Sequence, residues 1–464
     1  AYLVKICISG QNTIILPATA MEPIKILLLN YYWPPSGGPA VQRWLDITRY
    51  LAACGVHTYV VTVDEKKATY PFIDETLLGR IDRSTQTLRT GTSEWFGIYK
   101  RFIGKGKVPA NGLVDEPEPN LLQKAARFAR GNFFLPDPRR GWNKHAFSRA
   151  AALLRSEKID VLFTAGPPHS THLVGLRLKK HFPHLPWIAD IHDYWTEISY
   201  LSKFYRTAVA GYVDKRLEKE VLWSADGIMT HCQSSKSLQC QKLAGRDCSK
   251  IFVHTMGFNE DLFHSRPPER QRRFEIIYTG IMADHYDPEM LFRALRTAMS
   301  ERPDIPVSLK FVGILASTIR DRIIELGLGH VLNELPYMPH TAAIDELYKA
   351  TVVFLINPKF ENERIHVPGK IYEYLAVLKP ILSISPHGSE NEQIILGMNA
   401  GRNFDRSEQE QFSHYLVGLM DRWQEDRNVD LPENPAIRMY GRRHESEKLR
   451  DRIERLVHKK TPTG

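Results

Sequence analysis

One carboxylate, in a distinctive local setting, carries most of the chemical information in this sequence. Residues 367–382 read Val367-Pro-Gly-Lys-Ile-Tyr-Glu-Tyr-Leu-Ala-Val-Leu-Lys-Pro-Ile-Leu382. The Pro368-Gly369 turn opens a short helix, Lys379-Pro380 ends it, and the apolar strand Ile381–Ile384 follows. Pro368 suits a first helical turn, where its missing N–H removes no bond. The free amides of that turn, with the helix dipole, favour a phosphate. Glu373 lies about one turn further on, at ~1.5 Å per residue. From there a carboxylate can accept both hydroxyls of a ribose whose diphosphate sits at the helix mouth. The competing reading is an ordinary surface carboxylate on a helix.

A second group lies earlier in the chain. Strand Ile159–Thr164 runs into Ala165-Gly-Pro-Pro-His-Ser-Thr-His172, and strand Trp187–Asp190 into Ile191-His-Asp-Tyr-Trp-Thr-Glu197. His169, held behind two prolines just after a strand, can hydrogen-bond a sugar hydroxyl and steady developing charge. A capping or core histidine is the alternative. Asp190, His192 and Asp193 form a constellation at the end of the next strand, where a carboxylate can orient His169 or an acceptor hydroxyl. Aspartates that only cap the turn are the alternative. His169 and His172 are three apart and precede Asp190 and His192, yet no cysteine pair or His-Glu-x-x-His accompanies them. No metal is expected.

These residues need strands and helices to hold them. Strand Ile24–Leu29, loop Asn30–Pro39, helix Ala40–Cys54 and strand Val56–Val63 form a βαβ opening. Gly37 and Gly38 stand directly before that helix, where backbone can approach a ligand, or where small residues simply make a turn. Residues 85–145 read as irregular. Within them Leu121–Arg130 is amphipathic at helical spacing, as a core-facing or an interfacial helix. The α/β rhythm resumes at 146 and continues through a helix over 207–223 and strand Gly227–Thr230. A Pro- and Arg-rich stretch, Arg266–Arg273, reads as a domain linker. A second series follows, with strands at 274–279, 307–312, 331–335, 352–356 and 381–384 and helices between them. Residues 440–464 read as a solvated helix and frayed tail. The fold class expected is α/β, as two Rossmann-like domains facing each other across a cleft. The divisions are an N-terminal extension at 1–21, domains at 22–265 and 266–425, and a charged helix and tail at 426–464. Met21 looks like a natural start, and residues 1–20 lack the regions of a signal peptide.

At 464 residues the chain exceeds one ordinary core. It contains no apolar run of 18 residues, so no membrane-spanning helix is expected. Its five cysteines, Cys7, Cys54, Cys232, Cys240 and Cys248, have no metal-ligand spacing and fit a reducing compartment. The net charge of +9 is concentrated between Lys100 and Lys158, where 13 basic residues meet 5 acidic ones. That span is either a solvated face or a contact for anionic lipid or a phosphorylated acceptor. No helix-turn-helix, zinc-finger or RNP pattern points to nucleic acid.

Ordered signals in the second half resemble a known family. They are Tyr278-Thr-Gly280, Phe311-Val-Gly313, Leu335-Pro-Tyr337, Leu347-Tyr-Lys-Ala350, and Pro368–Ala376 with Lys379-Pro-Ile-Leu382. In the first half, Tyr31–Arg43, Pro167-Pro-His169 and Trp187–Trp195 are similar to bacterial members of the same family. The chain thus resembles, over most of 22–425, the GT-B glycosyltransferases of the retaining family 4. The resemblance implies a nucleotide-diphospho-sugar donor, UDP- or GDP-linked, held mainly by the second domain, and a glycan or lipid-linked acceptor held mainly by the first. It places Glu373 on the ribose diol and Gly280, Gly369 and Lys370 beside the diphosphate. Gly37 and Gly38 close over the diphosphate from the other domain. It implies transfer with retention and no cofactor beyond the substrate. The absence of any Asp-x-Asp agrees with transfer without a metal.

Two departures stand out. The family pairs two glutamates eight positions apart, but Ile365 occupies the earlier position, with Glu361 and Glu363 as nearby substitutes. Arg and Lys soon after Gly280 are also missing, leaving Lys310 or Arg364 as substitutes. A nucleotide-sugar epimerase on this scaffold, or a non-catalytic membrane-associated subunit of a glycan assembly complex, are the alternatives. The expected location is cytoplasmic, or peripheral on the inner face of the cell membrane.

Overall fold

A computed structural model describes residues 4–5, 15–16, 23–93, 120–263, 271–359 and 362–458. Glu361, most of the expected linker and most of residues 1–21 lie outside this set. Within the extension, only an antiparallel pair is described, Val4–Lys5 with Ile15–Leu16.

Two parallel sheets build the molecule. The first contains β1 (Ile24–Asn30), β2 (Val56–Val63), β3 (Thr85–Thr90), β4 (Val161–Gly166), β5 (Trp187–Ile191), β6 (Gly227–Thr230) and β7 (Ile251–Val253). Their order is β3-β2-β1-β4-β5-β6-β7. The second contains β8 (Phe274–Met282), β9 (Val307–Leu315), β10 (Leu332–Leu335), β11 (Val352–Ile356), β12 (Ile381–Ile384) and β13 (Gly401–Phe404), in the order β10-β9-β8-β11-β12-β13. Each sheet therefore repeats the 3-2-1-4-5-6 order of a doubly wound fold. Near-continuous apolar strands such as Leu27-Leu-Leu29 and Val352–Ile356 are buried, as parallel strands covered on both faces must be.

The helices of the first half are α1 (Pro39–Ala53), α2 (Leu121–Phe133), α3 (Asn143–Ser156), α4 (Ser170–His181), α5 (Ala208–Ser224) and α6 (Gln233–Lys242). Those of the second are α7 (Glu289–Glu301), α8 (Ser317–Glu325), α9 (His340–Lys349), α10 (Lys370–Ala376), α11 (Glu390–Gly397) and α12 (Gln409–Asp426). A last helix, α13 (Arg442–His458), returns to the first half. In both sheets the order reverses beside the central strand, β1 or β8. The loops at those carboxyl ends are where ligands bind in such folds.

Three expectations change. Residues 85–90 are not irregular: they pair in register with β2 as an edge strand. Their polar sequence, Thr-Gln-Thr-Leu-Arg-Thr, hides a strand that has only one neighbour. Helix α2 exists, but Leu121 is 85% exposed, and Leu122, Phe128 and Phe133 are also exposed. Its apolar side does not face the core.

The C-terminal helix is not a solvated one. Leu449 and Ile453 are buried in a core shared with Ile47 and Leu51 of α1. Arg442 Nη1 meets the buried Asp46 Oδ2 at 2.6 Å. The returning chain lies alongside the outgoing one: Phe258 N donates to the Tyr440 carbonyl, and Arg442 N to the Phe258 carbonyl. Gly257, at φ 55°, permits this approach, because a Cβ there would stand 2.6 Å from the Tyr440 oxygen.

Candidate active site

The carboxyl edge of the first sheet is lined with imidazoles. β4 ends in Gly166, and the Pro167-Pro168 turn sets His169 immediately before α4. The His169 ring stacks on Trp195 at 4.9 Å, and its Nε2 lies 3.1 Å from the Tyr194 carbonyl. Its Nδ1 is buried without a protein partner. Burial pushes the ring down to about 4, against the Tyr194 bond, so it is neutral at neutral pH. His172 points into the core instead, with Nδ1 2.9 Å from Thr164 Oγ1.

Asp190 is not placed to orient His169. Its Oδ2 accepts from Arg43 Nη1 and from Trp44 Nε1, each at 2.8 Å. All three side chains are buried, so Asp190 anchors α1 to the sheet. Burial raises its carboxyl, against the opposing charge of Arg43. Asp193 is the carboxylate that reaches the cleft, with 45% of its side chain exposed. Enclosure and the Asp190 charge push it up to about 6, while water on its open side tempers the rise. Sequence reasoning missed His231. It directly follows β6, is buried, and lies 5.2 Å ring to ring from His192. Its place after a strand of a parallel sheet was the available signal.

The opposite edge belongs to the second sheet. Gly280, at φ 113°, lets the Lys370 side chain pass close to the end of β8: a Cβ there would lie 3.1 Å from Lys370 Nζ. Lys370 Nζ donates to the Thr279 carbonyl at 2.6 Å and sits 3.7 Å from the Tyr278 ring centroid. Burial pushes its ammonium down to about 7, against the pull of Glu373. Glu373 Oε1 accepts from His340 Nε2 at 2.8 Å. Burial raises this carboxyl, but the His340 bond and the neighbouring cations prevail and hold it low.

The helix mouth itself differs from the expected anion site. α10 has seven residues, and the amides of Ile371 and Tyr372 already donate to the Pro368 and Gly369 carbonyls. Gly369 faces the other half: a Cβ there would touch Met256 at 3.4 Å. Gly38, at φ 116°, caps α1 with open space beside it, and Gly37 N donates to the Phe72 carbonyl.

Two of the suggested substitutes for the missing residues, Lys310 and Glu363, are otherwise engaged. Lys310 is buried between Glu275 and Glu346, at 2.5 and 2.7 Å. Arg364 is exposed. Glu363 pairs with Arg406 at 3.0 Å. At the position of the absent glutamate, the Ile365 main-chain oxygen accepts from Tyr194 Oη at 2.7 Å. That bond joins the two halves, as do those from the Gln233 and Ser234 amides to Glu390 at 2.8 and 2.7 Å. Among the described residues no group of three or more His, Cys, Asp or Glu converges to hold a metal.

No family model matches the sequence, and no curated protein matches it either. Solved structures do match the fold over nearly its whole length. HepE of Anabaena, in complex with UDP-glucose, aligns with a TM-score of 0.56 at 13% identity, covering 93% of this chain and 100% of that one. The lipopolysaccharide outer core galactosyltransferase WaaB aligns at 0.57 and 12%, covering 93% and 99%. A Listeria monocytogenes protein proposed to be a UDP-N-acetylglucosamine 2-epimerase aligns at 0.52 and 12%, covering 94% and 97%. The chain shares with them an α/β fold of two doubly wound domains, and the matches to glycosyltransferases support the GT-B architecture.

Proposed function

We propose that this GT-B fold is a glycosyltransferase that moves a sugar from a nucleotide diphosphate to a glycan or lipid-linked acceptor, with retention. The observation that supports the reading is that Lys370 lies against Gly280 and feels the Glu373 charge at the carboxyl edge of the second sheet, while His169, Asp193 and His231 follow strands at the carboxyl edge of the first. In the step proposed, the bond from the anomeric carbon to the diphosphate oxygen breaks. A bond to the acceptor oxygen forms, the acceptor proton passes to the departing diphosphate oxygen, and the nucleoside diphosphate leaves. Lys370 offsets charge on the departing diphosphate. Glu373 accepts the ribose hydroxyls. His169, neutral, is the group assigned to a sugar hydroxyl; its Nε2 is held by the Tyr194 carbonyl and its Nδ1 is buried, so the ring must turn outward to make that bond. Gly38, with open space beside it, leaves room for the diphosphate, while Gly37 and Gly369 let the loop before α1 and the mouth of α10 pack closely against their neighbours. Asp190 serves through Arg43 as a positioning residue. Contacts such as Tyr194 to Ile365 hold the halves together and exclude water, which otherwise competes as acceptor.

Titration calorimetry with UDP, GDP and ADP tests the reading. One of them binds the wild type, and Glu373→Ala weakens it about 100-fold or more, the loss of two hydrogen bonds to a charged group. No binding of any nucleotide, or unaltered binding in the variant, overturns the donor site. Product analysis separates the chemistry: conversion of the nucleotide sugar without acceptor favours an epimerase, and strict acceptor dependence excludes one.

The exposed α2 favours a second element of the reading, an acceptor presented at an anionic bilayer. Leu121, Leu122, Phe128 and Phe133 stand exposed on a helix that contains Lys124, Arg127 and Arg130 and no acidic residue.

A further inference from the structure

We propose that His340 is the positioning residue that fixes Glu373 for recognition of the ribose hydroxyls, an inference that rests on the donor site proposed above. His340 opens α9, and Glu373 lies inside α10, 33 residues later. The pair joins two separate elements at the same edge of the second sheet. Glu373 is ionised and has no proton to give, so His340 Nε2 is the donor in their 2.8 Å bond. The other ring nitrogen, Nδ1, is buried and has no partner. Nothing else competes for the ring, so its one hydrogen bond sets its direction. On the carboxylate, Oε1 is taken and Oε2 has no hydrogen-bond partner among the described residues. One oxygen is therefore tied to the fold and the other is left for a ligand.

This division has a physical purpose. A glutamate has three rotatable side-chain bonds, and ordering them on ligand binding opposes affinity. Glu373 sits on α10, which sets its Cα–Cβ direction but leaves the bonds beyond free to rotate. His340 removes that freedom before the nucleotide arrives. It does so through α9, whose Ile344 and Leu347 are buried in the core. The surrounding charges, Lys370 and Arg442, attract the carboxylate from other sides without a direct bond to it. A point charge does not select a rotamer as a hydrogen bond does.

The test compares the tightest-binding of UDP, GDP and ADP with its 2′-deoxy counterpart by titration calorimetry. The wild type prefers the ribonucleotide about tenfold or more, the effect of one hydrogen bond to a charged group. His340→Met fills similar space without a donor and brings the preference below about threefold. His340→Gln, which keeps an N–H near the position of Nε2, retains most of it. Melting temperatures of both variants within a few degrees of wild type separate this from loss of fold. A His340→Met protein with the wild-type preference overturns the inference while leaving the donor site intact. A wild type that binds a nucleotide with no preference for ribose overturns both.

Discussion

The two halves of this protein share one strand order and line their carboxyl edges with different chemistry, buried imidazoles beside one open carboxylate, Asp193, in the first and a close ammonium–carboxylate pair in the second. The first edge carries His169, His192 and His231, all pushed down by burial and uncharged near neutrality. The buried ion pair of Arg43 with Asp190 is spent on holding α1 in place. The second edge keeps an ionised carboxylate, Glu373, and an ammonium, Lys370, at the ligand's side. The scaffold therefore does not decide the chemistry of an edge. Glu373, with a hydrogen-bond donor beside it, stays charged under burial, and these imidazoles, with no carboxylate within hydrogen-bond distance, do not.

The largest effect that sharpens this contrast is structural. Asp190→Ala leaves Arg43 buried and unpaired, and destabilises the protein by about 3–5 kcal/mol. Chemical denaturation reads this directly. A loss below ~1 kcal/mol would make the pair a functional rather than an architectural device. Next comes the division of labour. His169→Ala lowers turnover about 100-fold, the scale of a lost catalytic hydrogen bond or proton transfer. The same change leaves nucleotide affinity within about twofold. Equal losses in both would erase the distinction between the edges.

An effect of similar size concerns the ammonium. Lys370 has its charge depressed by burial to about 7, so it is charged below that pH and loses the charge above it. A diphosphate binds the charged form, and its affinity falls on the order of 100-fold between pH 6 and pH 9. Lys370→Met flattens the profile at its weak end. A wild-type affinity that rises with pH would reverse the sign and remove Lys370 from the site. The smallest effect on the fold lies on α2. Replacing Leu121 and Phe128 by Glu changes stability by less than about 0.5 kcal/mol, since both are exposed. Flotation with vesicles containing phosphatidylglycerol then falls to background. Flotation unchanged by the pair would show that α2 is not the bilayer contact.

Local patterns made much of this legible. The βαβ opening, the buried strands at 56–63, 227–230 and 352–356, and the Pro-Gly-Lys-Ile-Tyr-Glu turn and helix are each coded within a few residues. What escaped was coded by contact across the chain. Thr85–Thr90 is polar because an edge strand needs little burial. His340 gains its meaning from a helix that begins 30 residues later. Asp190 reads locally as a cleft carboxylate, whereas Arg43, 147 residues before it, holds it in the core. The seven-residue length of α10, with two of its first amides already bonded, also removes part of the anion site that the turn suggested.

The pairing of Phe258 with the 440–442 segment means that the chain passes between its halves twice at one place. Two adjacent backbones, laced by the hydrogen bonds of Phe258, form a spine along one side of the cleft. A hinge there would turn like a cover about its binding, with the far side travelling and the bound side nearly still. A single cut after Phe258 would leave the molecule in one piece, because α13 still clasps α1.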